Sequence, residues 1–129
     1  MRLVIVRHAE AEAGQPDELR ALTAEGRAHA RALGARLRAD GVSPDAVVSS
    51  PLLRARETAT ALGLGTPAID ERLAPGATPD DVRAVADGHT GTVLVVGHQP
   101  DCGRAAAALG DGTEPPFPPC GHVTIELRA

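Results

Sequence analysis

The chain of 129 residues contains no Trp, no Tyr and a single Phe, Phe117. A core without aromatic bulk must be assembled from Leu, Val, Ile and Ala, and small side chains fill space only where backbones approach closely. That favours helices packed tightly on a sheet over an aromatic-lined barrel. It also removes the platforms on which single-stranded nucleic acids stack. Lysine is absent as well: all 13 basic residues are Arg, set against 17 acidic ones for a formal net charge of -4. A mildly acidic chain with no basic run is a poor nucleic-acid binder. The two cysteines, Cys102 and Cys120, make neither a disulfide framework nor a CxxC metal site. Long hydrophobic runs are missing too. The opening MRLVIVRHAEAE gives a few apolar residues and then charge, which suits a buried strand and not a signal peptide or membrane span. The expectation is a cytoplasmic protein without membrane or nucleic-acid partners, and a compact, charged chain leans towards a monomer.

What remains is an ordinary globular composition, 43% hydrophobic and 23% charged, of a length that suits one domain over residues 1–129. Leu3 to Val6 is an apolar, β-branched run expected of a strand covered on both faces. Thr23 can cap a following helix and Gly41 can end it. In that helix Gly26, Ala30 and Gly34 leave a smooth ridge suited to close packing on a sheet. Ala46 to Val48 reads as a second strand. Ser49-Ser50-Pro51 then reads as a helix start, with Ser50 as the cap and Pro51 in the first turn. A brief strand at Ala68 to Asp70, a short helix from Pro79, a central strand at Thr92 to Val96 and an alanine-rich helix to about Leu109 follow. His122 to Leu127 closes the chain as an edge strand. Strands alternating with helices imply an α/β sheet with helices on both faces.

In open α/β sheets ligands bind beyond the carboxyl ends of the strands. Arg7 and His8 sit directly after the first strand, His98 just after the central one, and Arg54 near the start of the helix that follows the second. Two guanidiniums and two imidazoles converging there would make a positive pocket in an acidic protein, and a phosphoryl group is the ligand that suits it. Singly each has a plain alternative: Arg54 could be a solvated helix residue paired with Glu57 or with another nearby carboxylate, and His98 could cap the next helix. His29, His89 and His122 lie in an arginine-rich helix or beside turns and read as ordinary surface residues.

The strings VRHAEAE, LTAEGRAHARALGARL, SSPLLRARETA and VLVVGHQP, in that order over residues 4 to 100, resemble the histidine phosphatase superfamily, the phosphoglycerate-mutase-like proteins. The ending PFPPCGHVTIEL and the short length are similar to the bacterial SixA-type phosphohistidine phosphatases. The resemblance implies a three-layer α/β/α sandwich with a mostly parallel sheet. It implies that His8 is a nucleophile that becomes transiently phosphorylated, that Arg7 and Arg54 clamp the phosphoryl oxygens, and that His98 donates to the same group, with no cofactor or metal. The substrate would be a phosphorylated molecule, with a phosphohistidine protein favoured. Glu10 would shape the pocket mouth or orient Arg7. Many relatives that cleave alcohol phosphates carry a glutamate acid after the third strand. Here DERLAPGATP puts Pro75 at that place. An imidazole leaves far more readily than an alkoxide, so the missing acid favours a P–N bond.

Two alternatives stay open. One is a phosphomonoesterase on a small sugar or nucleotide phosphate, with Asp70 or Glu71 as acid. The other is a non-catalytic phosphate-binding module. A cysteine phosphatase is excluded because the residue six places after Cys102 is Ala108 and after Cys120 is Glu126, not Arg. P-loop, nucleophile-elbow and HExxH signatures are also missing.

Overall fold

The computed structural model describes residues 1–128. Five strands form one sheet: β1 (Arg2–Arg7), β2 (Ala46–Ser49), β3 (Ala68–Ile69), β4 (Thr92–Gly97) and β5 (His122–Glu126). Their order is β3-β2-β4-β1-β5, all parallel except β5, which runs antiparallel along β1. β1 and β4 therefore sit at the centre, in a register that places Arg7 beside Gly97. Helices α1 (Ala24–Ala39) and α2 (Leu53–Leu62) cover one face, while α3 (Pro79–Asp87) and α4 (Asp101–Leu109) cover the other.

The alternation of side chains along a strand sorts the core into two layers. Val4, Val6, Leu94 and Val96 pack with Leu33, Leu37, Ala59 and Leu62 on one side. Leu3, Ile5, Val93 and Val95 pack with Val85, Ala105 and Phe117 on the other. The expected three-layer α/β/α sandwich with a mostly parallel sheet is thus the architecture found. No helix is long and apolar enough to cross a membrane among the described residues.

Local signals mostly act as read. Thr23 caps α1 by accepting from the Gly26 amide, and Gly41 follows its end with φ +83°. Thr78 and Asp81 form a reciprocal cap on α3. Other details differ: β2 runs on to Ser49, and β3 stops at Ile69, one residue short of Asp70. The Gly26–Gly34 ridge does not lie on the sheet: a Cβ at Gly26 would overlap the Glu10 carbonyl, and one at Gly34 the Leu62 carbonyl. The close approach is to the loop after β1 and to the end of α2. Helix α2 begins at Leu53 without a side-chain cap, so Ser50 is not its cap and Pro51 lies outside it. β5 ends at Glu126.

Candidate active site

The loop after β1, the loop after β4 and the start of α2 meet beyond the carboxyl edge of the sheet. There they enclose a cavity of about 400 Å³ lined by Arg7, His8, Arg20, Arg54, His98 and Gln99, with Glu10, Ala11, Pro75 and Pro119 around them. The four residues singled out from the sequence share this one cavity. The rings of His8 and His98 are 5.3 Å apart between centroids.

Each side chain is held by the backbone beside it. The His8 amide donates to the Gly97 carbonyl (3.0 Å) and its own carbonyl accepts from Cys120 (3.1 Å), fixing it between the central strands and the last loop. His8 Nδ1 lies 2.7 Å from the Ala9 carbonyl oxygen. A carbonyl can only accept, so Nδ1 carries the proton and Nε2 keeps its lone pair. Arg7 donates from Nη1 to the Phe117 carbonyl (2.9 Å). Arg54, only 5% exposed, reaches Asp17 twice: Nη1 to its carbonyl oxygen (3.0 Å) and Nη2 to Oδ2 (3.3 Å).

His98 Nε2 is 2.8 Å from Ser50 Oγ, which also accepts from the Leu52 amide (3.2 Å). The Ser50 hydroxyl has no other acceptor within reach among the described residues, so its proton goes to His98 Nε2 and Nδ1 is the ring N–H. That atom is buried without a partner, as are the Nε atoms of Arg7 and Arg54. Buried donors without acceptors cost roughly 1–3 kcal/mol each. All three belong to residues that line the cavity, so polar groups left unpaired by the fold gather behind its wall.

The electrostatics agree. Burial pushes the His8 imidazole down to about 4, and Arg54, Arg7 and Arg20 push the same way against the Ala9 bond. Burial likewise takes His98 down to about 3, helped by His8 and Arg54. Both rings are neutral at pH 7, and the positive charge comes from three guanidiniums. Asp17 lies between two of them; its bond from Arg20 (2.9 Å), with Arg54 adding to it, holds its carboxyl below the ordinary range.

Several expectations are corrected. Arg54 pairs with Asp17, not Glu57, whose carboxylate instead accepts from the Leu22 amide (2.8 Å) and Arg27 (3.3 Å). His98 does not cap α4 with its side chain. Glu10 lines the mouth but bonds the Thr23 hydroxyl (2.9 Å), not Arg7. Asp70 and Glu71 do not line the cavity, and Asp70 is taken up by Arg72 at 3.0 and 2.8 Å. Pro75 does stand at the wall. Its loop is pinned by buried Asp101, whose Oδ2 accepts from Gly76 (2.8 Å) and Ala77 (3.1 Å). Arg20, Asp17 and Asp101 carry no signal of their own in the sequence, and Ser50 reads there only as a helix cap. Among the described residues no group of three or more His, Cys, Asp or Glu side chains could hold a metal ion.

Comparison with known proteins gives the same placement. The family model described as "Histidine phosphatase superfamily (branch 1)" matches residues 3–76. An uncharacterised protein of Mycobacterium tuberculosis is 38% identical over 110 residues, 81% of this chain and 69% of the relative. Among solved structures, that of the protein histidine phosphatase SixA complexed with tungstate is similar with a TM-score of 0.86 at 27% identity, covering 96% of this chain and 86% of that one. A protein assigned as phosphohistidine phosphatase SixA from Nakamurella multipartitia is 34% identical with a TM-score of 0.78, over 84% of this chain and 64% of that one.

Proposed function

Because the chain belongs to the histidine phosphatase superfamily, we propose that it is a phosphatase working through a phosphohistidine on His8, with phosphohistidine in a protein as its substrate. The observation that carries this reading is the pairing, in one cavity, of an imidazole whose Nε2 is left free by the Nδ1–Ala9 bond with the guanidiniums of Arg7 and Arg54 and the ring of His98.

In this mechanism Nε2 of His8 attacks phosphorus in line, and the new N–P bond forms as the bond to the leaving group breaks. Phosphoryl transfer needs mostly positioning and charge stabilisation. Arg7 and Arg54 neutralise the equatorial oxygens, and His98 donates from Nδ1 without bringing a full charge. Water then cleaves the phosphohistidine, releasing phosphate and restoring His8. No cofactor enters the scheme.

Choice of substrate turns on the leaving group. Pro75 stands at the wall where an acid would protonate an alkoxide, and Asp70 and Glu71 stand elsewhere. An imidazole leaving group has less need of that proton. Similarity to SixA proteins supports the same choice. The second reading, a phosphomonoesterase on a small phosphate, has one supporting observation: Glu10 is a carboxylate on the cavity wall.

The test is to trap the phosphoenzyme and compare rates on phosphohistidine and on an alkyl phosphate. The label should survive alkali, be lost in acid and be absent from a His8→Ala variant. Phosphohistidine should be turned over faster. An alkyl phosphate cleaved at an equal rate would favour the second reading, and an acid-stable label would overturn the mechanism.

A further inference from the structure

Helices α1 and α2 each follow a parallel strand, so both start at the edge of the sheet where His8 lies. Between them runs a second cavity, of about 340 Å³, lined by Arg27, Arg31, Arg56, Glu57, Leu53 and neighbouring small residues. Arg27 and Arg56 are each the fourth residue of their helix, where the positive end of the helix dipole is still felt. Three guanidiniums face one carboxylate. Glu57 is shared by Arg27 (3.3 Å) and the Leu22 amide (2.8 Å), whereas Arg31 and Arg56 have no carboxylate partner among the described residues. Arg56 Nε is buried without any hydrogen-bond partner.

For the fold this arrangement is a loss. Arg27 and Arg31, four apart on one helix, repel, and the orphaned Arg56 donor costs desolvation energy that nothing internal repays. In a chain of net charge -4, surplus cations gathered in one groove mark a place for anions. Arg54 and Arg56 leave α2 about 200° apart, so the groove and the catalytic cavity lie on two sides of one helix end, about 10 Å across. A small phosphorylated molecule in the catalytic cavity does not span that distance. A polypeptide does.

We propose that the Arg27–Arg31–Arg56 groove is a docking subsite for carboxylates of the protein that carries the phosphohistidine. This rests on the reading of the substrate given above. An extended chain covers about 3.3 Å per residue, so the acidic residues should lie roughly three to five positions from the phosphohistidine. Exposed charge pairs are individually weak and are screened by salt, so the gain is in selection among substrates and not in chemistry.

The experiment uses two phosphohistidine peptides, one with glutamates three to five positions from the phosphohistidine and one with glutamines there, together with free phosphohistidine. At low salt the acidic peptide should have a kcat/KM about tenfold above the neutral one. The ratio should fall to about one at 0.5 M salt and in the variants Arg31→Glu and Arg56→Gln. Arg31 is exposed, so the first variant folds even if the second does not. A ratio of one in the native protein overturns the docking site while turnover of free phosphohistidine leaves the parent reading intact. Failure to cleave any of the three would count against the parent reading. In that case binding of the unphosphorylated acidic peptide, read by fluorescence anisotropy with inorganic phosphate as control, decides the groove: no binding, or binding unchanged in Arg31→Glu, overturns it.

Discussion

Two cavities of this molecule differ in a way that separates size from chemistry. One, of about 690 Å³, lies between α4 and the edge strand β5; the other, at the carboxyl edge of the sheet, measures about 400 Å³. The larger is walled by Ala106, Leu109, Val123 and Ile125, with Arg83 at its rim already engaged by Asp87 at 3.0 Å. None of the buried donors that lack a partner belongs to it. It is what remains where an alanine-rich helix meets an edge strand and no large side chain fills the gap. The smaller cavity is made by chain segments that end their strands with charge. One or two residues at the ends of β1 and β4 take the sequence from fully buried Val6 and Val96 to Arg7, His8 and His98. Convergent, unpaired donors mark the functional end, and volume does not.

The comparison predicts its largest effect at His8. His8→Ala should lower turnover by about 10⁴-fold or more, as loss of a nucleophile does, and abolish phosphoenzyme labelling, with thermal unfolding nearly unchanged. Retained labelling would sink the assignment. The same ring gives a pH signature. Folded His8 and His98 take up protons only near pH 4 and 3, whereas unfolded imidazoles do so near 6.5. Between those values the unfolded chain binds more protons, so stability should fall as pH is lowered from about 6.5 towards 4. Urea midpoints at pH 7 and 5 should differ less for His8→Ala than for the native protein. An unaltered difference would mean His8 is not held neutral.

Next comes Arg54→Ala, expected to lower kcat by about 10²–10³-fold with a smaller rise in KM, since its guanidinium acts on charge that grows in transfer. A rise in KM alone would make Arg54 a ground-state binder. Asp17→Asn should cost less, about tenfold in kcat/KM. The Asp17 carbonyl keeps its bond to Arg54, and only the carboxylate link to Arg54 and Arg20 is lost. Higher activity in this variant would mean that Asp17 competes with the phosphoryl group for these guanidiniums.

How much of this was legible follows from where each residue sits in the chain. Arg7, His8 and His98 directly follow runs whose apolar, β-branched pattern marks central strands, so strand ends named them. Arg54 follows a strand by a fixed short distance. Arg20 and Asp17 lie in a polar loop with no periodic signal, and only its folding back onto α2 brings them to the cavity. Ser50 departs from the cap role its sequence suggests for a related reason. Ser before Pro is a sound cap signal, but its hydroxyl is drawn to the buried imidazole of His98, a contact 48 residues away in the chain. The ridge at Gly26 and Gly34 was visible as small residues, but its partners, Glu10 and Leu62, are backbone groups that composition does not announce.

The smallest expected effect falls on the larger cavity, and it is the sharpest check on the comparison. Ala108 is exposed on the wall of that cavity, in the last turn of α4. Leu is nearly as good a helix former as Ala, and at that place it would fill open space over Leu109, Val123 and Ile125 without meeting a packed neighbour. Ala108→Leu should therefore alter kcat/KM by less than about twofold on either phosphohistidine or an alkyl phosphate. Unfolding should shift by no more than a surface substitution usually gives, about 0.5 kcal/mol. A drop of tenfold on a phosphohistidine peptide, with free phosphohistidine cleaved at the native rate, would show that the substrate protein rests on α4 and β5. The groove between α1 and α2 would then lose its claim to the docking role, because one peptide leaving the His8 cavity cannot run along both faces of the sheet.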